Sequence, residues 1–233
     1  RPPHRTLEIT GGGEVVAEDI RIDGKEVAVL VSKGAIRLER AIVTVPFGAT
    51  AIQGGTGATV EFLASDIRSG GIGVAFWAGG RLAIEGATIQ ADYGLQILGG
   101  APDVHIAAAD IRAFQALYYD AEGSLTVYGA RFFGEFALRG RPSVAVEGAL
   151  FASGASLEMD LPSGSVARFV RSRFASRSEP QGSVLAEPAV RLRGSGGVEF
   201  SDTRTFGHLD LCLHQIDAGD LLGDRVLDLD ARI

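Results

Sequence analysis

The chain has one cysteine, one tryptophan, one methionine and two lysines (Lys25 and Lys33) among 233 residues, and no asparagine. A single thiol, Cys212, rules out an internal disulfide, so the usual mark of an oxidising compartment is absent. Without asparagine there is no N-glycosylation acceptor. A solenoid built from this chain must also turn its corners without stacked asparagine side chains. No apolar run approaches the length of a membrane-crossing helix, so no membrane insertion is expected. Basic charge is short as well: 22 Lys+Arg stand against 29 Asp+Glu, a net charge of −7. That is the wrong sign for a nucleic-acid binder. No phosphate loop, zinc-ligand spacing or dinucleotide fingerprint occurs, so neither a metal nor a cofactor is expected. No signal peptide is visible. An opening at Arg1 leads us to expect a processed or excised piece of a larger protein, with secretion or the cell envelope slightly favoured.

What the chain has instead is repetition. Leu82, Ile84, Ala87, Ile89, Ala91, Leu95 and Ile97 set a pattern that returns as Val104, Ile106, Ala109, Ile111, Ala113, Leu117 and Tyr119. It returns again through Leu125, Val127, Ala130, Phe132, Gly134 and Leu138, and through Val144, Val146, Ala149, Phe151, Ser153, Leu157 and Met159. Ile36, Leu38, Ala41 and Val43 obey it upstream, and Val198, Phe200 and Thr203 downstream. Units of about 19–24 residues, each made of short period-two runs between small residues, are the signature of a solenoid of strands. Val, Ile, Phe and Gly at these densities disfavour a helical repeat. Ala41, Ser65, Ala87, Ala109, Ala130, Ala149, Ser172 and Thr203 form a column that is always small. They predict an inward corner with room for little beyond a β-carbon or hydroxyl.

The uneven three-run unit resembles the right-handed parallel β-helix of the pectate-lyase-like superfamily, over roughly residues 30–220 and by repeat pattern alone. The fold expected is all-β, a right-handed parallel β-helix of about nine to ten rungs, forming a rod on the order of 45 Å long. Residues 1–34 are expected as irregular rungs or a cap, 35–216 as the β-helix, and 217–233 as a last rung or C-terminal cap. Solenoid ends need covering, so end-to-end self-association or a neighbouring domain is expected there.

Registering the repeats turns sequence into surface columns. One outward column reads Gln96, Tyr118, Arg139, Glu158, Arg191, Cys212; the next reads Leu98, Asp120, Arg141, Asp160, Arg193, His214. Opposite charges one rung apart can neutralise each other as a ladder. The same face can instead bind an acidic polymer through its arginines, with Tyr118 and His214 beside them. The binding residues expected are therefore Tyr118, Arg139, Arg141, Glu158, Asp160, Arg191, Arg193 and His214. The only long insertion, residues 178–188, enters at the corner before Arg191, where binding loops tend to be placed. Trp77, Tyr93 and Phe114 are candidate sugar platforms. A second outward face carries Asp66, Thr88, Asp110 and Arg131 beside Arg68, Gln90, Arg112 and Phe133. Salt bridges from Asp66 to Arg68, and from Asp110 to Arg112 or Arg131, are expected on it.

The resemblance does not extend to chemistry. Glycosidases of that superfamily carry adjacent aspartates and an Asn-Thr-Asp motif, which this chain does not have. The calcium-dependent lyases use an acidic cluster with a catalytic arginine, and no matching cluster stands out. Gly207-His208 matches the glycosidase histidine over two residues only. Cys212 and His214 form a thiol–imidazole pair without a third member. No catalytic residue is expected. The reading is a non-catalytic binding or assembly module with a polysaccharide or a protein as partner; the alternative is a polysaccharide lyase or glycosidase using Glu158 and Asp160.

Overall fold

The computed structural model describes residues 5–77, 79–152, 157–175 and 190–206, and every ladder among them is parallel. The protein is a parallel β-solenoid, with no helix among the described residues. Each turn has three faces. Face 1 stacks Glu14–Glu18, Gly34–Glu39, Ala58–Leu63, Gly80–Glu85 and Pro102–Ala107, continuing to Val166–Val170 and Gly197–Ser201. Face 2 stacks Arg21–Asp23, Thr88–Gln90, Leu150–Ala152, Arg173–Ala175 and Arg204–Phe206 among its strands. Face 3 stacks Arg5–Ile9, Val27–Val31, Tyr93–Leu98, Leu157–Leu161 and Val190–Gly194. Four long strands, Ile42–Gly54, Asp66–Trp77, Asp110–Tyr128 and Arg131–Glu147, bend round corners and supply the remaining rungs.

About seven consecutive turns run from Arg5 to Ala152, fewer than the nine to ten rungs expected. Strands on either side of the undescribed segments 153–156 and 176–189 carry the same ladders further. Residues 5–31, expected to be irregular, stack in the same ladders: Leu7 lies beside Val29, Val15 beside Ile36 and Ile22 beside Val43.

Period-two alternation decides which side chains go inside. Leu82, Val104, Leu125 and Val144 stack and are buried, while their outward neighbours are not. One inner column changes character along the rod. Ile22, Val43, Ile67, Ile89 and Ile111 give way to Phe132, Phe151 and Phe174. Those rings stack at 5.3 Å and 4.6 Å, with planes within 9° and 7°. Phe136 meets Phe132 edge-on at 4.9 Å. Burying each ring stabilises the fold by about 1.5–3 kcal/mol, with roughly 0.5–1.5 more per aromatic pair.

The predicted small column is buried throughout, from Ala41 to Thr203. Its neighbours explain why. The residue before each member (Arg40, Ala64, Gly86, Ala108, Gly129, Gly148, Arg171, Asp202) has φ between 47° and 64°. A left-handed residue followed by a tight inward turn makes the corner, and each N–H of that series from Arg40 to Arg171 bonds the next rung's carbonyl, as Ala64 does to Glu85 at 2.9 Å. Where the column has a hydroxyl, it helps: Ser65 Oγ accepts from the Ala41 N–H at 3.1 Å. Serine here fills the part that asparagine plays in other β-helices.

Candidate functional site

From Asp66 to Arg131, face 2 carries the expected ion pairs. Arg68 is bonded to Asp66. Asp110 is nearly buried and accepts from Arg112 Nε at 3.0 Å and from Arg131 Nη2 at 2.7 Å. Hydrogen bonding to these aspartates, reinforced by their charge, raises the pKa of Arg68 and Arg112 above the usual arginine value. Arg112 also lies over the Phe133 ring, 4.9 Å from its centroid. At the corner between faces 1 and 2, Arg40 gathers Glu18, Asp19 and Glu39. The hydrogen bond from Arg40 holds the Asp19 carboxyl below its ordinary pKa.

Face 3 is built from the same residue types with a different outcome. The register there corrects the two expected columns. Ala137, not Arg139, lies beside Tyr118; Arg139 lies beside Asp120, and Arg141 beside Glu122. The cause is one short corner. Six positions separate the inward residues Ile111 and Leu117, but four separate their partners Phe132 and Phe136. The chain makes the shortcut through Gly134, whose φ is 132° and whose Cβ, if present, would overlap the Ala113 carbonyl oxygen. Phe136 thereby takes the inward place opposite Leu117, and each arginine moves one outward step along the strand.

The result is a cluster at mid-rod. Arg139 sits over the Tyr118 ring at 5.4 Å and donates from Nη1 to the Tyr118 hydroxyl at 3.5 Å. That hydroxyl faces Asp120 Oδ2 at 3.5 Å. Glu158 stands on the next rung beside Ala137 and pairs in register with Arg191, while Asp160 pairs in register with Arg193. Arg141 has moved round to the corner between faces 3 and 1. There it lines an open groove of about 650 Å³ with Gly99, Gly100, Asp120, Glu122 and Pro162. Beneath the groove, the Tyr119 hydroxyl reaches the carbonyls of Glu122 and Ser124 at 3.2 and 3.4 Å. Burial pushes the Tyr119 phenol well above the ordinary tyrosine pKa, with the charge of Asp103 adding to the effect.

Among the described residues, Arg139 and Arg141 make no ion pair with a carboxylate. Arg21, Arg37, Arg40, Arg68, Arg112, Arg131, Arg168 and Arg171 all do. Arg81 on face 1 and Arg173 on face 2, the latter in register beside Arg204, also have none there. The side chains of Arg191 and Arg193, together with His214, Cys212 and the insertion at 178–188, lie outside the described residues. The thiol–imidazole pair is therefore not placed.

Three exposed aromatics flank this cluster. Trp77 and Tyr93 lie on face 3 itself, below Tyr118; Phe114, 79% exposed, sits at the corner between faces 2 and 3. Phe47, 89% exposed at an earlier turn of that corner, was not singled out from the sequence. The available signal was that Phe47 follows Pro46, just where the Val43/Val45 alternation ends.

No family model, no curated protein and no solved structure matches the chain. Among the described residues, no group of His, Cys, Asp or Glu side chains is arranged to hold a metal ion, and no helix is long and apolar enough to cross a membrane.

Proposed function

We propose that this β-solenoid is a non-catalytic binding module, part of a larger secreted or envelope-associated protein, whose ligand is an acidic carbohydrate polymer held on face 3. One observation carries this reading: Arg139 and Arg141 stand together over an aromatic ring and an open groove without carboxylate partners among the described residues, while eight arginines elsewhere are so paired. A guanidinium already held by aspartate is spent on the fold. One left with its donors exposed offers a planar fork to carboxylate or sulfate. Two residues apart on one strand, Arg139 and Arg141 present two such donors about 7 Å apart. Membership of the pectate-lyase-like superfamily, with its right-handed coil, fits the three-faced parallel turn and the handedness rule for parallel crossovers.

The test is a panel of acidic and neutral polysaccharides, scored for both binding and turnover. The reading expects salt-sensitive binding without turnover, weakened by Arg139→Ala and by Arg141→Ala at an unchanged melting temperature. Turnover abolished by Glu158→Ala or Asp160→Ala in a folded protein would replace it with a lyase or glycosidase.

A further inference from the structure

Below the arginine cluster, the outward side of face 3 changes chemistry. Over three rungs it carries Gln53, Ile72, Trp77, Tyr93, Gln96 and Leu98, with no charged side chain among them. Trp77 is 36% exposed and Tyr93 41%, so each presents part of its ring to solvent on this uncharged stretch. Between them Ala75 points outward yet is fully covered, because its rung neighbours are Gln53 on one side and Gln96 on the other. The two amides thus stand between the aromatics, with the methyl group covered beneath them. Strand and rung spacings put Trp77, Tyr93 and Tyr118 on the order of 10–15 Å from one another. Three rung steps, Trp77 to Leu98 to Asp120 to Arg139, cover about 14 Å.

We propose that this neutral half is a second subsite which stacks sugar rings on Trp77 and Tyr93, so that the ligand is a linear acidic glycan lying across both halves of face 3. This rests on the function proposed above. Patch chemistry selects the occupant. A sugar ring offers an apolar C–H face and a rim of hydroxyls, matching an aromatic plane bordered by amides that both donate and accept. A protein anchor would require contiguous aliphatic area or a deep pocket, and here amides interrupt the apolar residues. Complementary charge sets the polarity of the site: acidic substituents lie toward Arg139 and Arg141, ring faces toward Trp77 and Tyr93. Tyr118, with Arg139 over its ring, marks the junction.

Trp77 is the only tryptophan, so its emission reports this subsite directly. The full chain is titrated with uronic-acid oligomers of increasing length and, separately, with neutral cello-oligosaccharides. Expected are a shift in Trp77 emission on binding, and affinity that rises with length until both halves are spanned. Tyr93→Ala or Trp77→Ala should weaken long oligomers about five- to ten-fold and leave the shortest acidic ones unchanged. If acidic oligomers bind through Arg139 but emission stays silent and affinity is independent of length, the second subsite is overturned and the proposed function stands. If only neutral oligomers bind and shift the emission, the subsite stands and the acidic reading falls. If neither class binds, both fall.

Discussion

Faces 2 and 3 are woven by one chain into one solenoid from the same residue types, yet the stretch of face 2 from Asp66 to Arg131 is closed by ion pairs and the stretch of face 3 from Tyr118 to Arg141 is not. On face 2, Asp66 and Arg68 lie two residues apart on one strand, as do Asp110 and Arg112, so each pair meets on the same side of the sheet. On face 3 the corresponding positions hold Tyr118 and Asp120, and the tyrosine takes the aspartate. Arg139 then finds a ring, not a carboxylate. Charge composition alone does not say which arginines are structural. For Arg21, Arg37, Arg68 and Arg112 a carboxylate two positions away does, and for Arg131, Arg168 and Arg171 one on a neighbouring rung.

The largest effect should come from the corner that sets this difference. Gly134→Ala introduces a Cβ where the Ala113 carbonyl sits, at a φ closed to alanine, and should cost about 3 kcal/mol or more. Chemical denaturation measures the loss, and amide exchange should show opening that begins at the strand 131–147. A smaller loss, roughly 2 kcal/mol, is expected for Asp110→Ala, which strips Arg112 and Arg131 of their shared partner. Glycan binding should not change in that variant; if it does, face 2 belongs to the site. Tyr119→Phe should cost about 1 kcal/mol by removing a hydroxyl bonded to carbonyls under the groove.

The pH dependence follows from the same groups. The folded-state pKa of Tyr119 is raised, so its contribution is complete below the ordinary tyrosine value of about 10 and lost as pH climbs above it. Wild type should therefore lose stability with alkali more steeply than Tyr119→Phe in a melting series. Asp19 works in the opposite direction. Its pKa is lowered by Arg40, so its contribution is present above the ordinary aspartate range and fades as pH falls through and below it. That effect should be the smallest, because the pair is exposed to solvent. Comparing acid titrations of wild type and Asp19→Ala checks it.

The solenoid was legible in the sequence because burial enforces alternation. Leu82, Ile84 and Ile89 could not face outward without cost, and the small column from Ala41 to Thr203 marks its corner at every turn. Face 2 was legible for a related reason: Asp-x-Arg on one strand fixes its partner locally. The register of face 3 was not. It depends on how many residues a corner consumes, and outward residues have no burial constraint to correct a slip. The spacing Gly134 to Leu138 equals Ala113 to Leu117, so aligning Leu138 with Leu117 looked natural, yet Leu138 pairs with Tyr119. Phe136 held the missing signal. A bulky aromatic two residues after a strained glycine, here Phe136 after Gly134, belongs inside. Trp77 and Tyr93 were recognisable singly, but only the stacking of rungs puts them on one face with Gln96 between them.

The central claim is that Arg139 serves a ligand while Arg112 serves the fold. The direct measurement is affinity for a uronic-acid polymer as a function of salt, in wild type, Arg139→Ala and Arg112→Ala, with melting temperature recorded for each. The account predicts that Arg139→Ala weakens binding and flattens its salt dependence while the melting temperature barely moves, and that Arg112→Ala lowers the melting temperature with binding intact. Equal loss of affinity in both variants, or loss in neither, would contradict it.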